Sequence, residues 1–460
     1  MVRRLISRPA ALPRPANPIS RLRPGQRSSS DSVHNAAVMV WDSVAMGVVN
    51  TASTYLPVLV ARLGGSAFSI GLLTAIPAVA GFTLAIPIGQ YLKRKHVVAW
   101  YSRARLIANL SYALIALTVV VAPRDVVVPL IVAVWAFAAI PSTMGAILFP
   151  IVMDGAAGPH GRLELMSRRW SYMGLTTAIA VSIMGQFLDR ITFPLNYAIV
   201  FLSFTIAGFA SYYFSRQFRV PHVEPPPRAE VRGSFADRIR TGIALIREHP
   251  AFLHYSVRQL VYVSGARLVM PLIPLYYVTV VAAPDAWIGI IAMGQSLALL
   301  AGYQFWRRQS RLRGTRIILL VVLLASSLYP AALSLTDQLV VVAAFATLAA
   351  FFTAGVDLIL FDELMRTVPR QYGVTFVSID TTLVNLATIV TPLAGAALAG
   401  FLGIEFALRF GAFVSLCGVV LFVQTARRQG TPPPAKSAPP PAESAPPPAE
   451  PAPATLPDHA

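Results

Sequence analysis

The chain has 460 residues, of which 55% are apolar and only 13% are charged, and its mean hydropathy is +0.62. Soluble domains usually carry about 25% charged residues, so this composition excludes an ordinary soluble domain. The net charge is +18, but the basic residues lie in short stretches between apolar runs, which argues against a nucleic-acid-binding protein. The single cysteine, Cys417, excludes a disulfide within one chain and a CxxC metal site.

Apolar segments follow one another along the chain, each long enough to cross a hydrocarbon layer roughly 30 Å thick. Their apolar runs are continuous rather than alternating, and backbone groups in lipid must bond within their own segment, so each is predicted to be a helix and not a barrel strand. The twelve predicted segments are 36–59, 68–91, 97–121, 127–152, 168–188, 192–215, 257–282, 286–307, 315–335, 338–361, 373–400 and 404–426.

Polar, low-complexity stretches lie at both ends of the chain and in its middle. Residues 1–35 are rich in Arg, Pro and Ser and predict a disordered basic tail, and residues 429–460 repeat Ser-Ala-Pro-Pro-Pro-Ala-Glu and predict an extended tail. The interval 216–256 is predicted to be a central loop. Within it, 234–249 has the apolar spacing of a helix that lies on the membrane surface.

Basic residues are divided very unequally between the two sides of the predicted membrane. Thirty of the 38 Lys and Arg residues fall on the side of the N-terminus, and only Arg62, Arg124 and Arg190 fall on the other. This bias predicts that both termini are cytoplasmic, in an inner or plasma membrane. It also supports the segment count, because a missed or extra helix would exchange the sides of every later loop.

The first six segments resemble the last six. An Ile-Gly pair opens the second segment at 70–71 and the eighth at 288–289, and a basic run follows each of these segments. Asp154 and Asp362 end the fourth and tenth segments, and each precedes an arginine by eight residues. Such parallel repeats place a substrate site between the halves near the membrane midplane. The predicted bundles are 36–215 and 257–428.

Six plus six helices, a long basic central loop and basic loops after the second and eighth segments resemble the major facilitator superfamily. The family's loop motif after the second span reads Gly-x-x-x-Asp-Arg/Lys-x-Gly-Arg/Lys-Arg/Lys. Residues 89–96 match it at Gly89 and Arg94 and depart from it at Lys93 and His96. The resemblance covers about residues 35–428. It implies an all-α membrane protein of two six-helix bundles that carries a small solute by alternating access.

Charged and polar residues inside the segments are the candidate functional residues, because a charge at the middle of a helix costs roughly 2.5–3.5 kcal/mol on insertion scales. The candidates for substrate binding or proton coupling are Asp42, Asn50, Arg267, Gln295, Asp380 and Asn385. The candidates for gating are Arg94, Arg105, Asp154, Asp357 and Asp362.

Two interpretations of these residues remain open. In the first, Asp42, Arg267 and Asp380 face the central cavity, which the resemblance implies is lined by segments 1, 4, 7 and 10. Either aspartate then exchanges a proton, since burial and a nearby arginine shift its pKa in opposite directions. In the second, these charges are structural ion pairs that close the cytoplasmic side. Gln295 and Asn385 equally suit hydrogen bonds between helices.

The sequence therefore predicts a secondary active transporter of a small solute, coupled to protons through Asp42 or Asp380, and not an enzyme. No nucleotide-binding G-x-x-x-x-G-K-[ST] motif occurs, so the energy is expected to come from ion gradients. The expected substrate is an amphipathic compound or an organic anion, with efflux preferred to uptake. The protein is expected to act as a monomer without cofactor or nucleic acid. The alternative is a transporter-like sensor or scaffold that binds a ligand without translocating it.

Overall fold

The computed structural model describes residues 29–92, 96–220, 249–367 and 373–428, and helices account for nearly all of them. Twelve stretches within these helices are long and apolar enough to cross a membrane, which confirms the predicted architecture and span number. Outside the described residues lie Arg94, residues 1–28 and 429–460 of the two predicted tails, and nearly all of the predicted surface helix at 234–249. Residues 29–35, which the sequence predicts as part of the disordered tail, instead form the start of the first helix.

The helices follow the predicted segments, and we number the spans 1 to 12 accordingly. In the first half they are Ser29–Asn50 and Ala52–Arg62 (span 1), Ala67–Leu92 (span 2), Val97–Val121 (span 3), Val127–Leu188 (spans 4 and 5) and Leu195–Ser215 (span 6). In the second half they are Pro250–Val269 and Leu272–Thr279 (span 7), Asp285–Arg313 (span 8), Thr315–Leu333 (span 9), Leu339–Thr367 (span 10), Gly373–Leu402 (span 11) and Ile404–Arg428 (span 12).

Spans 4 and 5 share one helical stretch of backbone, but its two arms fold back on each other. A straight helix would hold Ile131 and Val181 about 75 Å apart. Instead both belong to one buried apolar cluster, while Leu148 and Leu165 share another. The two arms are therefore antiparallel spans, as the sequence predicts.

Two helices begin earlier than their apolar runs. Span 1 continues back to Ser29, where Asn35 is buried and its amide donates to the carbonyls of Ala156 and Arg219. Span 7 begins at Pro250, and Phe252 in its first turn is completely buried. Proline suits the first turn of a helix, since its missing N–H has no partner there in any case. The boundaries predicted at 36 and 257 therefore fall about two turns inside the observed helices.

The buried apolar side chains show how the halves meet. The side of the membrane at which span 1 begins is called the terminal side. The opposite side is called the far side. On the far side, one cluster includes residues of both halves, such as Leu59 and Tyr276. On the terminal side the described residues form one cluster within the first half and a separate one within the second. Among the described residues, the buried apolar cluster that both halves share therefore lies at the far side.

Candidate functional site

Asp42 lies at the centre of a buried charge cluster inside the first half. Its carboxylate accepts hydrogen bonds from Arg105 Nη1 at 3.1 Å, Arg169 Nη1 at 2.9 Å and Ser211 Oγ at 2.7 Å. These residues bring spans 1, 3, 5 and 6 together, and Asp42 is 0% exposed. The structure therefore joins the predicted coupling residue Asp42 to the predicted gating residue Arg105. It also adds Arg169 and Ser211, which the sequence did not single out.

This cluster, which we call the Asp42 cluster, contains two cations and one anion. Arg105 also donates to the Tyr101 hydroxyl at 2.8 Å, and the Arg169 guanidinium lies 4.8 Å from the centre of the Phe149 ring. Within the described residues, Arg105 Nη2 and Arg169 Nε have no hydrogen-bond partner. The arrangement supports the structural interpretation of Asp42 more than the cavity-facing one, because its carboxylate is enclosed by residues of its own bundle.

Asp380 in span 11 has a different environment. It is 8% exposed, and its Oδ2 lies 3.5 Å from Gln259 Nε2 in span 7. Among the side chains that the structure describes, no cation comes within ion-pair distance of Asp380. Asp380 is therefore a nearly buried carboxyl group whose described partner is a neutral amide.

Tyr303 and Asp357 form a third polar contact, between spans 8 and 10. The Tyr303 hydroxyl donates to Asp357 Oδ2 at 3.1 Å. Arg267 Nη1 in span 7 lies 3.5 Å from Met270 Sδ, and among the described residues Arg267 and Asp357 form no ion pair. Asp357 and Tyr303 are exposed, and Arg267 is half-buried.

The remaining candidates are dispersed. Asn50 is exposed at the end of the first helix of span 1, and Gln295 and Asn385 are half-buried in spans 8 and 11. Asp154 is exposed and Asp362 half-buried, both near the terminal side. The structure does not bring these five residues into one site.

A set of polar contacts that the sequence did not predict joins the two halves at the far side, and we call it the far-side latch. Arg62 Nη2 and the Tyr197 hydroxyl, both of the first half, donate to Asp285 Oδ1 of the second half at 3.1 and 2.8 Å. The Asp189 carboxylate accepts the backbone N–H groups of Asp285 and Ala286 at 2.9 and 3.1 Å. Asp189 thus caps the first turn of span 8 from the other half.

Glycines allow the backbones to approach each other beside the latch. A Cβ added to Gly185 in span 5 would lie 2.6 Å from the Asp285 carbonyl oxygen and 3.1 Å from Gly289 Cα in span 8. Gly71 in span 2 has less crowded neighbours in span 11, since an added Cβ would lie 3.4 Å from both Leu393 Cδ2 and the Pro392 carbonyl oxygen and 3.7 Å from the Cβ of Ala396. The far-side contact between the halves is therefore close-packed along spans 2, 5, 8 and 11.

Comparisons with known proteins match the chain by its structure. No protein-family model and no curated protein matches the sequence. The nucleoside transporter NupG superposes with a TM-score of 0.66 at 10% identity, over 85% of this chain and 99% of that one. A bacterial homologue of the iron transporter ferroportin, in an inward-facing state, gives 0.64 at 14% identity over 87% and 99%. The peptide transporter POT, in complex with sulfate, gives 0.61 at 10% identity over 88% and 96%.

The chain has the fold of the major-facilitator-type transporters. This finding confirms the resemblance that the sequence predicts at the level of architecture, over the whole of both six-helix bundles. In this major-facilitator fold, the Asp42 cluster lies within one bundle, the far-side latch lies between the bundles, and Arg267 and Asp357 lie in the second bundle.

Proposed function

We propose that the protein is a secondary active transporter that moves a small solute by alternating access between its two halves. The observation that carries the proposal is that the described residues of the two halves are joined mainly at the far side. The halves share a buried core and the latch at the far side, while the described clusters on the terminal side belong to one half each. Two bundles that rock about a central site need contacts of this kind, which can break on one side and form on the other.

The distribution of charge indicates which side of the membrane the terminal side faces. The bias of Lys and Arg towards the terminal side places that side in the cytoplasm. On this assignment the latch closes the path from the outside, and the halves come apart towards the cytoplasm. Alternating access passes through such a state in uptake and efflux alike, and we propose efflux because few charges interrupt the apolar segments.

Asp380 is our candidate for proton coupling, in preference to Asp42. If Asp42 took up a proton, two buried guanidinium groups would lose their counter-ion, and uncompensated buried charge is strongly destabilising. Asp380 has a neutral amide as its described partner, so adding or removing one proton leaves no cation unpaired there. Of the two predicted coupling residues, the contacts therefore favour Asp380.

A screen in proteoliposomes tests both transport and coupling. Purified full-length protein is reconstituted with an internal pH indicator, and organic anions, amphipathic amines and aminocarboxylates are added one at a time. We expect at least one solute to cause a protein-dependent pH change. Asp380→Asn should abolish this change while the exchange of labelled solute continues, whereas full proton-coupled flux in Asp380→Asn would contradict our assignment.

A reversible cross-link separates a transporter from a ligand-binding sensor. The positions of Gly71 and Ala396 suit a disulfide, because Cβ atoms about 3.5–4.5 Å apart can be bridged without moving the backbone. In a Cys417→Ala background, oxidation of the double variant Gly71→Cys/Ala396→Cys to a disulfide should stop flux. A reductant should restore it. Either single cysteine variant is the control. Ligand binding with no flux in any reduced sample would support the sensor.

A further inference from the structure

The terminal end of span 8 carries a dense group of exposed arginines. They are Arg307, Arg308, Arg311 and Arg313, and no acidic residue lies among them in the sequence. Arg307 donates to the Gln304 amide oxygen at 2.7 Å, whereas Arg308 and Arg311 form no hydrogen bond or ion pair with any residue that the structure describes. The helix dipole supplies only about half a negative charge at its C-terminus, so it balances little of this positive charge.

Arg308 and Arg311 lie on the side of span 8 that faces away from span 10. Trp306 marks the packed side, because it is buried and its Nε1 donates to the Phe351 carbonyl oxygen of span 10 at 2.8 Å. The two arginines follow Trp306 by two and five residues, which places them about 200° and 140° around the helix from it. They are three residues apart and therefore neighbours on one face, where like charges repel each other. An anion bound between them would relieve this repulsion.

The depth of the two arginines matches the headgroup layer of a membrane. Span 8 begins at Asp285 in the far-side latch and has 29 residues, which make a helix about 43 Å long. The hydrocarbon core of a bilayer is about 30 Å thick, so the last two turns of the helix extend past it on the terminal side. Arg308 and Arg311 lie about 35 and 39 Å from Asp285 along the axis, at the depth of the phosphate groups of that leaflet.

Apolar side chains flank Arg308 along the same side of the helix. Phe305 lies three residues before it and Leu312 four residues after it, and they are 43% and 68% exposed. Contact with a lipid would remove both apolar groups from water, which is favourable, whereas a free anion would leave them hydrated. A lipid therefore fits this surface better than a free anion does.

We propose that Arg308 and Arg311 bind the phosphate of an anionic phospholipid in the leaflet on the terminal side. Guanidinium groups bind phosphate oxygens through paired hydrogen bonds, and basic groups at the end of a membrane-spanning helix attract anionic lipids. Phe305 and Leu312 contact the lipid beside its phosphate. This site goes beyond the proposed transport function and does not depend on it.

Thermal unfolding of the purified full-length protein in detergent tests the site. Dioleoylphosphatidylglycerol, dioleoylphosphatidylcholine or glycerol 1-phosphate is added in increasing amounts. A bound ligand raises the midpoint of unfolding according to its concentration and affinity. We expect the anionic lipid to raise the midpoint at a lower concentration than the zwitterionic lipid does. Glycerol 1-phosphate at the same phosphate concentration should have no effect.

Variants locate the binding to the two arginines, and each variant is compared with its own lipid-free midpoint. Arg308→Gln/Arg311→Gln should weaken binding of the anionic lipid about tenfold or more, because charged hydrogen bonds are lost. Arg308→Lys/Arg311→Lys keeps the charge but loses the paired hydrogen bonds, so its affinity should be intermediate. Arg103→Gln/Arg313→Gln removes two other exposed arginines of the terminal side. It is the matched control and should leave binding unchanged.

Four results would overturn the proposal. Equal weakening in the Arg103→Gln/Arg313→Gln control would show that the lipid responds only to the net charge of the terminal side. Full affinity in Arg308→Lys/Arg311→Lys would show that no pairing of guanidinium with phosphate takes place. An equal shift with glycerol 1-phosphate would indicate a site for free phosphate, and equal shifts with the two lipids would exclude a site that selects anionic lipid.

Discussion

At the scale of single residues, the molecule contains two buried aspartates with different partners. Asp42 is held by two guanidinium groups and a hydroxyl, and Asp380 lies beside an amide. A buried ion pair contributes little net stability, but removing one partner is costly because the other charge stays buried and unpaired. The effect of replacing Asp42 should therefore depend on charge balance more than on the loss of a contact.

Asp42→Asn should destabilise the protein by about 3–5 kcal/mol, since both arginines then lose their anion. The measurement is the midpoint of thermal unfolding of the purified protein. Ser211→Ala, which removes a neutral donor to the same carboxylate, is the matched control and should cost about 1 kcal/mol.

A double variant separates charge balance from packing. The Asp42 cluster has a net charge of +1, Asp42→Asn raises it to +2, and Arg105→Gln added to Asp42→Asn returns it to +1. We therefore expect the double variant to unfold at a higher temperature than Asp42→Asn alone. A double variant that is less stable would show that the cluster acts mainly through its hydrogen bonds.

The sequence identified only part of this cluster. Asp42 and Arg105 are conspicuous because they interrupt apolar segments. Arg169 follows Arg168 at the predicted start of the fifth segment, where a basic pair is typical of the adjoining cytoplasmic loop. In the structure it is 6% exposed. Periodicity along one helix cannot show which residues of other helices it faces, so neither Arg169 nor Ser211 could be assigned to Asp42.

At the scale of helices, hydropathy predicted each span because the requirement for internal backbone hydrogen bonds in lipid is strict. Glu405 and Arg409 in span 12 form an ion pair at 3.3 Å, as side chains four residues apart on one helix face can do. The early starts of spans 1 and 7 were missed because their first turns are polar and gain their partners from distant parts of the chain, as Asn35 does from Ala156 and Arg219.

Gly185 should control how closely spans 5 and 8 can approach. A larger side chain would meet the backbone of span 8 near Gly289 and Asp285, and backbone cannot move aside as a flexible side chain can. Gly185→Val should therefore favour a state in which the far side is open. In a Cys417→Ala background, a cysteine at the buried position of Gly71 reports this opening by its reaction with a membrane-impermeant maleimide.

The matched control for Gly185→Val is Gly81→Val in span 2, because an added Cβ at Gly81 meets no atom within 4 Å. Gly185→Val should speed labelling at position 71 about tenfold, as expected for a bias of about 1.4 kcal/mol towards the open state, and Gly81→Val should not change it. Equal labelling rates in the two variants would mean that contact along spans 5 and 8 does not limit opening.

At the scale of the whole molecule, charge and packing act together at the far side. The shared apolar core there includes side chains from both halves, and the latch adds hydrogen bonds from Arg62, Tyr197 and Asp189 to the first turn of span 8. The sequence placed Arg62 on the sparsely charged side but gave no partner for it. Pairing across the halves depends on how two bundles meet, which hydropathy does not encode.

Arg62→Gln should open the far side by removing the cation of the latch. The Arg62 and Asp285 side chains are only 26% and 10% exposed, so the charged hydrogen bond between them should stabilise closure by about 1.5–3 kcal/mol. Labelling at position 71 should then rise about tenfold or more. Arg124→Gln, at another far-side arginine, is the control for general electrostatic effects.

Asp285→Asn added to Arg62→Gln should cause little further increase in labelling, because both changes break the same contact. Additive effects of the two changes would show that Arg62 and Asp285 act separately and that the latch is not one unit.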